Sequence, residues 1–159
     1  MKKIFTLCIV FLSLICHSQT ITTLDNDNGF RNVHFGDSIF LHPTMKAFYY
    51  TPDSQFVSYR KSDDSLIVAN SKVDIIYTFY KGQLFGVLIK SEDEMGSKNI
   101  LKSLHESYGK SKKTDPYIES YYWYAKSVIM EYHQNMNTYK ADIFINSIKM
   151  RLKWEGRDH

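Results

Sequence analysis

The stretch VDIIYTFYKGQLFGVLIK (residues 73–90) decides how this chain folds. Val73, Ile75, Tyr77 and Phe79 alternate along its first half, and Phe85, Val87 and Ile89 along its second. That is the two-residue period of a strand with one buried face. Lys81-Gly82 separates the halves, so they read as a hairpin. Opposed residues share a sheet face, which tests the register. A two-residue Lys81-Gly82 loop pairs Tyr77 with Gly86 and sends the two apolar sets to opposite faces. A three-residue loop, Tyr80-Lys81-Gly82, pairs Tyr77 with Phe85, Ile75 with Val87 and Val73 with Ile89, and sets Gly82 at the left-handed position such a loop requires. The second register is the expectation. Ile76, Leu84 and Leu88 then lie on the opposite face, which makes the hairpin apolar on both sides.

Further strands are expected upstream. FVSYRK (56–61) and LIVAN (66–70) flank the turn composition Ser62-Asp63-Asp64-Ser65, and Phe30, Val33 and Phe35 suggest a short strand ending at Gly36. Asp37-Ser38 starts a turn of helix, and MKAFYY (45–50) has no clear period. Downstream, residues 95–108 change to the helical period. Ile100, Leu101, Leu104 and Tyr108 fall on one face, Ser91 or Ser97 is the candidate cap, and Gly109 is the stop. Strands return at 121–124, 127–133 and 139–145. After Ser147 the apolar residues move to even positions, Ile148, Met150, Leu152 and Trp154, with Lys149, Arg151 and Lys153 between them. Read as a strand, this tail has a basic face and an apolar face, with a bulge near Asn146-Ser147. The expected fold is α+β: an antiparallel β-meander with one main α-helix packed on one face of the sheet.

The N-terminus carries an address. Lys2 and Lys3 precede a thirteen-residue apolar run, Ile4 to Cys16, and then His17-Ser18-Gln19-Thr20. This is the order of a secretory signal, and it is shorter than the roughly 20 residues of a membrane span. Cleavage after Ser18 is expected, with a protein anchored through an acylated Cys16 as the alternative. The divisions are a signal peptide at 1–18, a flexible polar lead-in at 19–29, a single domain at 30–154 and a tail at 155–159. Export to the periplasm or beyond removes both cysteines, Cys8 and Cys16, and with them disulfide and thiolate chemistry. Removing Lys2 and Lys3 leaves 18 basic against 17 acidic residues. A net charge of that size argues against nucleic acid as a partner, and no later run is long enough for a transmembrane helix in the mature chain.

The chain resembles small exported bacterial envelope proteins of uncharacterised function. The resemblance rests on Gly29-Phe30-Arg31 through Phe35-Gly36, a Y-x-F-x-x-G-x-L-x-x-V hairpin from Tyr77 to Val87, and a helix ending in Leu104, Tyr108 and Gly109. Trp123 and the strand from Ile129 to His133 complete it, with Tyr132 one place off the family spacing. These residues are structural glycines and core aromatics. The resemblance therefore implies fold and compartment, and carries over no catalytic residue.

No constellation points to a catalytic or metal site, and no cofactor is expected. Asp25-Asn26-Asp27-Asn28-Gly29 begins like a calcium loop, but its glycine comes one place early and Gly36 stands where the bidentate Glu is needed. His105-Glu106 lacks a second histidine four residues on. The candidate binding residues are of two groups. Ile76, Leu84 and Leu88 form the second face of the hairpin, which either the chain's own 37–52 segment or a partner, a second copy or a hydrophobic ligand covers. Lys149, Arg151, Lys153 and Trp154 are either a guarded edge strand or a stripe facing anionic headgroups or polysaccharide. Tyr121, Tyr122, Trp123 and Tyr124 are mostly packing residues, with sugar stacking as the lesser reading. The leading expectation is a non-enzymatic binding or interaction module of the bacterial cell envelope, whose partner is an envelope protein or a second copy. The alternative is a small hydrolase or carbohydrate-acting enzyme using Glu131, His133 or Asp142, which requires those groups to converge in a cleft.

Overall fold

The computed structural model describes residues 20–157; the expected signal segment, with Cys16, lies outside the described residues. The chain runs α1 (Thr20–Asp27), β1 (Gly29–Phe30), β2 (Val33–His34), a 3-10 turn (Ile39–Leu41), β3 (Met45–Tyr50), β4 (Phe56–Lys61), β5 (Ile67–Val68), β6 (Ser71–Tyr80), β7 (Gln83–Ser91), α2 (Glu94–Tyr108), β8 (Lys112–Lys113), β9 (Ser120–Tyr124), β10 (Val128–Gln134), β11 (Ala141–Ser147) and α3 (Ile148–Trp154). The main sheet is antiparallel, in the order β3-β4-β6-β7-β11-β10-β9-β8, with β5 paired to the start of β6. Two meanders therefore meet at the β7–β11 seam. Helix α2 carries the chain from β7 to the far edge, and the second meander works back to β7. This is the expected α+β class, with α2 as the main helix on one face.

The central hairpin corrects the expected register. Its turn has two residues, Lys81 at φ 47° and Gly82 at φ 78°, the primed turn whose twist suits a hairpin. Tyr80 pairs with Gln83 and Phe79 with Leu84, after which the register shifts: Thr78 pairs with Gly86, Tyr77 with Val87, Ile75 with Ile89 and Val73 with Ser91. Phe85 is the extra residue of a β-bulge. One inserted residue changes the phase of everything beyond it. Leu84 therefore joins Val87 and Ile89 in the core, fully buried, and Leu84 is not a second-face residue. Phe85 takes the outer side instead, against Phe56 and Trp154.

Val73, Ile75, Tyr77 and Phe79 meet Ile143, Ile145, Met130, Tyr132 and Trp123 across the core face, beneath Ile100 of α2. Asp93, rather than Ser91 or Ser97, caps α2 by accepting from the Gly96 N–H, and the helix stops at Gly109. The buried Trp123 Nε1–H donates to the Gly109 carbonyl at 2.9 Å, fixing that end of the helix to β9. Tyr77 is buried with its hydroxyl donating to Asp64 at 2.6 Å, and Arg31 pairs with the same carboxylate while donating to the Ser65 and Ile67 carbonyls. Burial, then the bond to Asp64, pushes the Tyr77 phenol far above its ordinary range.

Three other expectations change. Residues 20–27 are a helix rather than a flexible lead-in, anchored by Leu24 at 2% exposure and by Asp25, which accepts from the Lys126 and Ser127 N–H groups. The 37–52 segment does not cover the outer face: Ile39 and Met45 pack with the core, and 45–50 extends the sheet as edge strand β3. Residues 66–70 contribute only the short strand β5, and β4 pairs with β6 instead. Among the described residues no helix is long and apolar enough to cross a membrane.

Gly86 sits opposite Asn146 at the seam, and a Cβ there would lie 2.3 Å from Asn146 Oδ1. Gly86→Ala should destabilise the protein by about 1–3 kcal/mol through overpacking. Adding Asn146→Ala should recover most of that loss in a urea-melt double-mutant cycle. Additive losses would contradict this register.

Candidate functional site

The sheet face away from α2 is covered at one end and open at the other. Strand β11 ends at Ser147, whose hydroxyl accepts from the Met150 N–H and starts α3. The expected basic strand at 148–154 is thus a helix, and the phase change after Ser147 marks a helix start rather than a bulge. The helix folds back so that Trp154 meets Phe56 and Phe85 edge-on at centroid distances of 5.8 and 6.3 Å, with Tyr80 5.0 Å from Phe56. This aromatic cluster closes the hairpin end of the outer face.

Beyond α3 the register lays out a row across five strands: Ile76, Leu88, Phe144, Glu131 and Tyr122. All five are partly exposed. The next row holds Asp74, Lys90, Asp142, His133 and Ser120. Ion pairs border the apolar row. Arg60 makes a two-pronged contact with Asp74 at 2.9 and 2.7 Å and lies 4.0 Å over the Phe48 ring, while Lys90 stands 3.5 Å from Asp142. The guanidinium beside Asp74 holds its carboxyl below the usual range, and Asp74 in turn raises Arg60.

Of the expected binding residues, Ile76 and Leu88 form a direct cross-strand pair on this open face, and Leu84 is absent from it. Lys149, Arg151 and Lys153 do not share a strand face. Lys149 is exposed, Arg151 approaches Glu155 at 3.8 Å, and Lys153 Nζ donates to Gln83 Oε1 at 2.6 Å. Trp154 is half-exposed beside the aromatic cluster. Tyr122, expected as a packing or sugar-stacking residue, joins this row, and Phe144 carries a signal that the sequence reading passes over: it is an aromatic on the polar phase of Ala141, Ile143 and Ile145.

Glu131 and His133 do meet. His133 Nε2 lies 3.1 Å from Glu131 Oε2, and its Nδ1 lies 2.7 Å from Ser120 Oγ. Asp142 pairs with His133 across β10 and β11, and the two share a hollow of about 390 Å³ with Lys90 and Thr138. Ser120 is 5% exposed. Its hydroxyl is engaged by His133 Nδ1. Histidine and carboxylate, both on β10, orient each other, and the His133–Ser120 bond ties β10 to β9. Tyr122 and Tyr124 stack on one another at 6.0 Å and 9°, which turns one ring face of each toward its neighbour rather than toward a sugar. Among the described residues no three His, Cys, Asp or Glu side chains are grouped to hold a metal ion.

No protein-family model, curated protein or solved structure matches the chain.

The Arg60–Asp74 pair is largely solvated, so Asp74→Asn should cost under about 1 kcal/mol at pH 7. The Asp74 pKa is depressed in the folded state, so its contribution is complete above the ordinary Asp value of 3.8. That contribution is lost as pH falls through the folded value. Melts of wild type and variant should therefore converge in acid, and in 1 M salt. A gap that widens on acidification would contradict the pairing.

Proposed function

We propose that this protein is an exported, non-enzymatic binding module of the bacterial cell envelope that docks a partner protein on its open sheet face. One observation carries the reading. The row Ile76, Leu88, Phe144, Glu131 and Tyr122 stays open although α3 has closed the adjoining end of the same face; its apolar run is Ile76, Leu88 and Phe144, and Glu131, paired with His133, separates that run from Tyr122. An apolar and aromatic centre within a rim of charged pairs is the anatomy of a protein interface. Contiguous apolar surface on one face of a small domain marks an interaction site. The face is also pre-formed, built on strands rather than loops, so docking orders little chain.

The hydrolytic alternative has one observation in its favour, the Ser120–His133–Glu131 hydrogen-bonded chain. The binding reading stands above it because Ser120 is 5% exposed and its hydroxyl is already bonded to His133. Compartment follows from the sequence: the basic start, the apolar run to Cys16 and the polar stretch after it support export, and the resemblance to exported envelope proteins agrees.

Two measurements test these proposals. Intact mass and N-terminal sequencing of protein from the envelope fraction should find Gln19 as the first residue. Recovery of the uncleaved chain from the cytosol would overturn export, and fatty-acid labelling lost on Cys16→Ser would replace release by anchoring. For the face, a photo-crosslinking p-benzoylphenylalanine at position 88 or 144 should yield a discrete adduct in living cells, and the same group at Lys102 on α2 should not. An adduct of twice the chain's mass would make the partner a second copy. Absence of an adduct at both positions would contradict docking here. Leu88→Glu should abolish the adduct formed from position 144 while changing stability by about 0.5 kcal/mol or less.

A further inference from the structure

On its side away from the aromatic cluster, α3 borders two adjoining hollows. One, of about 630 Å³, lies between α3 and the β9–β10 turn, lined by Ile148, Leu152, Lys149, Lys126 and Ser127. The second, of about 500 Å³, continues past Lys149 and Ser127 to Phe35, Met150 and Lys153. Together they make a groove with an apolar wall and lysines along its rim. Each hollow is of the size that takes a small ligand.

The charges in this groove are unbalanced. Asp25 also lines the larger hollow, one carboxylate against Lys126, Lys149 and Arg157, and it is bonded to the turn rather than to a lysine: it accepts from the Lys126 N–H at 2.9 Å, the Ser127 N–H at 2.6 Å and the Ser127 hydroxyl at 2.5 Å. Burial pulls the Asp25 pKa upward, and those bonds outweigh it and hold the carboxyl below its ordinary value. Asp37, at the other end, accepts from the His34 N–H and lies 3.2 Å from His42 Nε2. Glu155 takes Arg151 and Arg157. Lys153 meets only the neutral Gln83 amide. Among the described residues no carboxylate pairs with Lys126 or Lys149, and both line one mostly apolar hollow, Lys126 from the β9–β10 turn and Lys149 from α3.

We infer that this groove binds a single-chain anionic amphiphile, with its hydrocarbon chain along Ile148 and Leu152 and its carboxylate or phosphate head between Lys126 and Lys149. Two lysines suit a compact, strongly hydrated anion as point charges. Each methylene that the apolar wall removes from water favours binding, so chain length sets affinity and the lysines set head-group choice. Ile148 and Leu152 line this open hollow, and binding of monomeric amphiphile as against vesicles separates a single bound chain from contact with a bilayer. It is separate from the open sheet face, and either site stands if the other fails.

Isothermal titration of the full mature protein with dodecanoate and dodecyl phosphate, each below its micelle concentration, tests the inference. Saturable one-to-one binding of both is expected, with octanoate at least tenfold weaker. The double variant Lys126→Glu/Lys149→Glu should bind at least tenfold more weakly, and Lys149→Gln should lie between it and wild type. Lys102→Glu, on the exposed side of α2, should bind as wild type does. All three variants change exposed side chains, and a thermal melt like that of wild type verifies the fold. Dodecyl maltoside, with the same chain and no charge, should bind at least tenfold more weakly than dodecyl phosphate. Failure to saturate, equal affinity in the double variant, or equal affinity for dodecyl maltoside would each overturn the inference. So would binding confined to phosphatidylglycerol vesicles, which would make the groove part of a membrane-facing surface.

Discussion

One inserted residue governs the architecture. Phe85 is the extra residue of the bulge in β7, opposite the step from Thr78 to Phe79, and it lets one hairpin serve two faces. On the inner side Leu84, Val87 and Ile89 all reach the core despite a spacing that a regular strand would split between faces. On the outer side Phe85 becomes the platform on which Trp154 rests. Without the bulge, the two-residue turn at Lys81-Gly82 would place Leu84 inside but turn Val87 and Ile89 outward. The core would exchange Val87 and Ile89 for Gly86 and Leu88, a net loss of one buried side chain worth about 1.5–3 kcal/mol. The seam with β11 depends on the same register, because only Gly86 opposite Asn146 leaves room for the amide.

The outer face follows from that arrangement. Phe85, Phe56 and Tyr80 give α3 an aromatic seat, and α3 spans seven residues, too few to roof the whole face. The row from Ile76 to Tyr122 is left uncovered, framed by Arg60–Asp74 and Lys90–Asp142. The same helix presents its other side to the β9–β10 turn, where Lys126 and Lys149 face an apolar hollow. One short element thus bounds both candidate sites. The sheet's two edges differ as well. Strand β8 is two lysines long, a guarded end, whereas β3 offers six residues with Phe48, Tyr49 and Tyr50 exposed and only the bulge near Phe48 and Lys46 to discourage pairing.

Much of this was legible in the residues, and the failures have identifiable causes. Helix α2 announced itself through Ile100, Leu101, Leu104 and Tyr108, because a 15-residue amphipathic segment sustains its period. The strands expected at 56–61, 121–124, 127–133 and 139–145 form within a residue or two of those bounds, most plainly Ala141–Ser147, which buries alternate residues. The hairpin register was misread because a bulge leaves no mark on composition. It reveals itself only when turn type and burial are required to agree, and Leu84 was then assigned to the wrong face. The segment 148–154 was read as a strand because alternating apolar and basic residues over seven positions fit either period. Ser147 as an N-cap was the available clue. Helix α1 is polar enough to pass for a linker, with Leu24 its one deep anchor. The open face was anticipated through Ile76 and Leu88, whereas its extension through Phe144 and Tyr122 depends on which strands are neighbours, and strand order is a long-range property. The groove beside α3 was beyond reach for the same reason, since Lys126 and Lys149 meet only in the folded chain.

Cross-strand nuclear Overhauser effects in the backbone of the folded protein test the register most directly, because antiparallel partners approach to about 4.5–5.5 Å between Cα atoms. The account predicts contacts linking Phe79 with Leu84, Tyr77 with Val87 and Ile75 with Ile89, and Phe85 side-chain contacts to Trp154. Contacts linking Tyr77 with Phe85 and Val73 with Ile89 would contradict it, and with it the aromatic seat of α3 and the open row beside that seat.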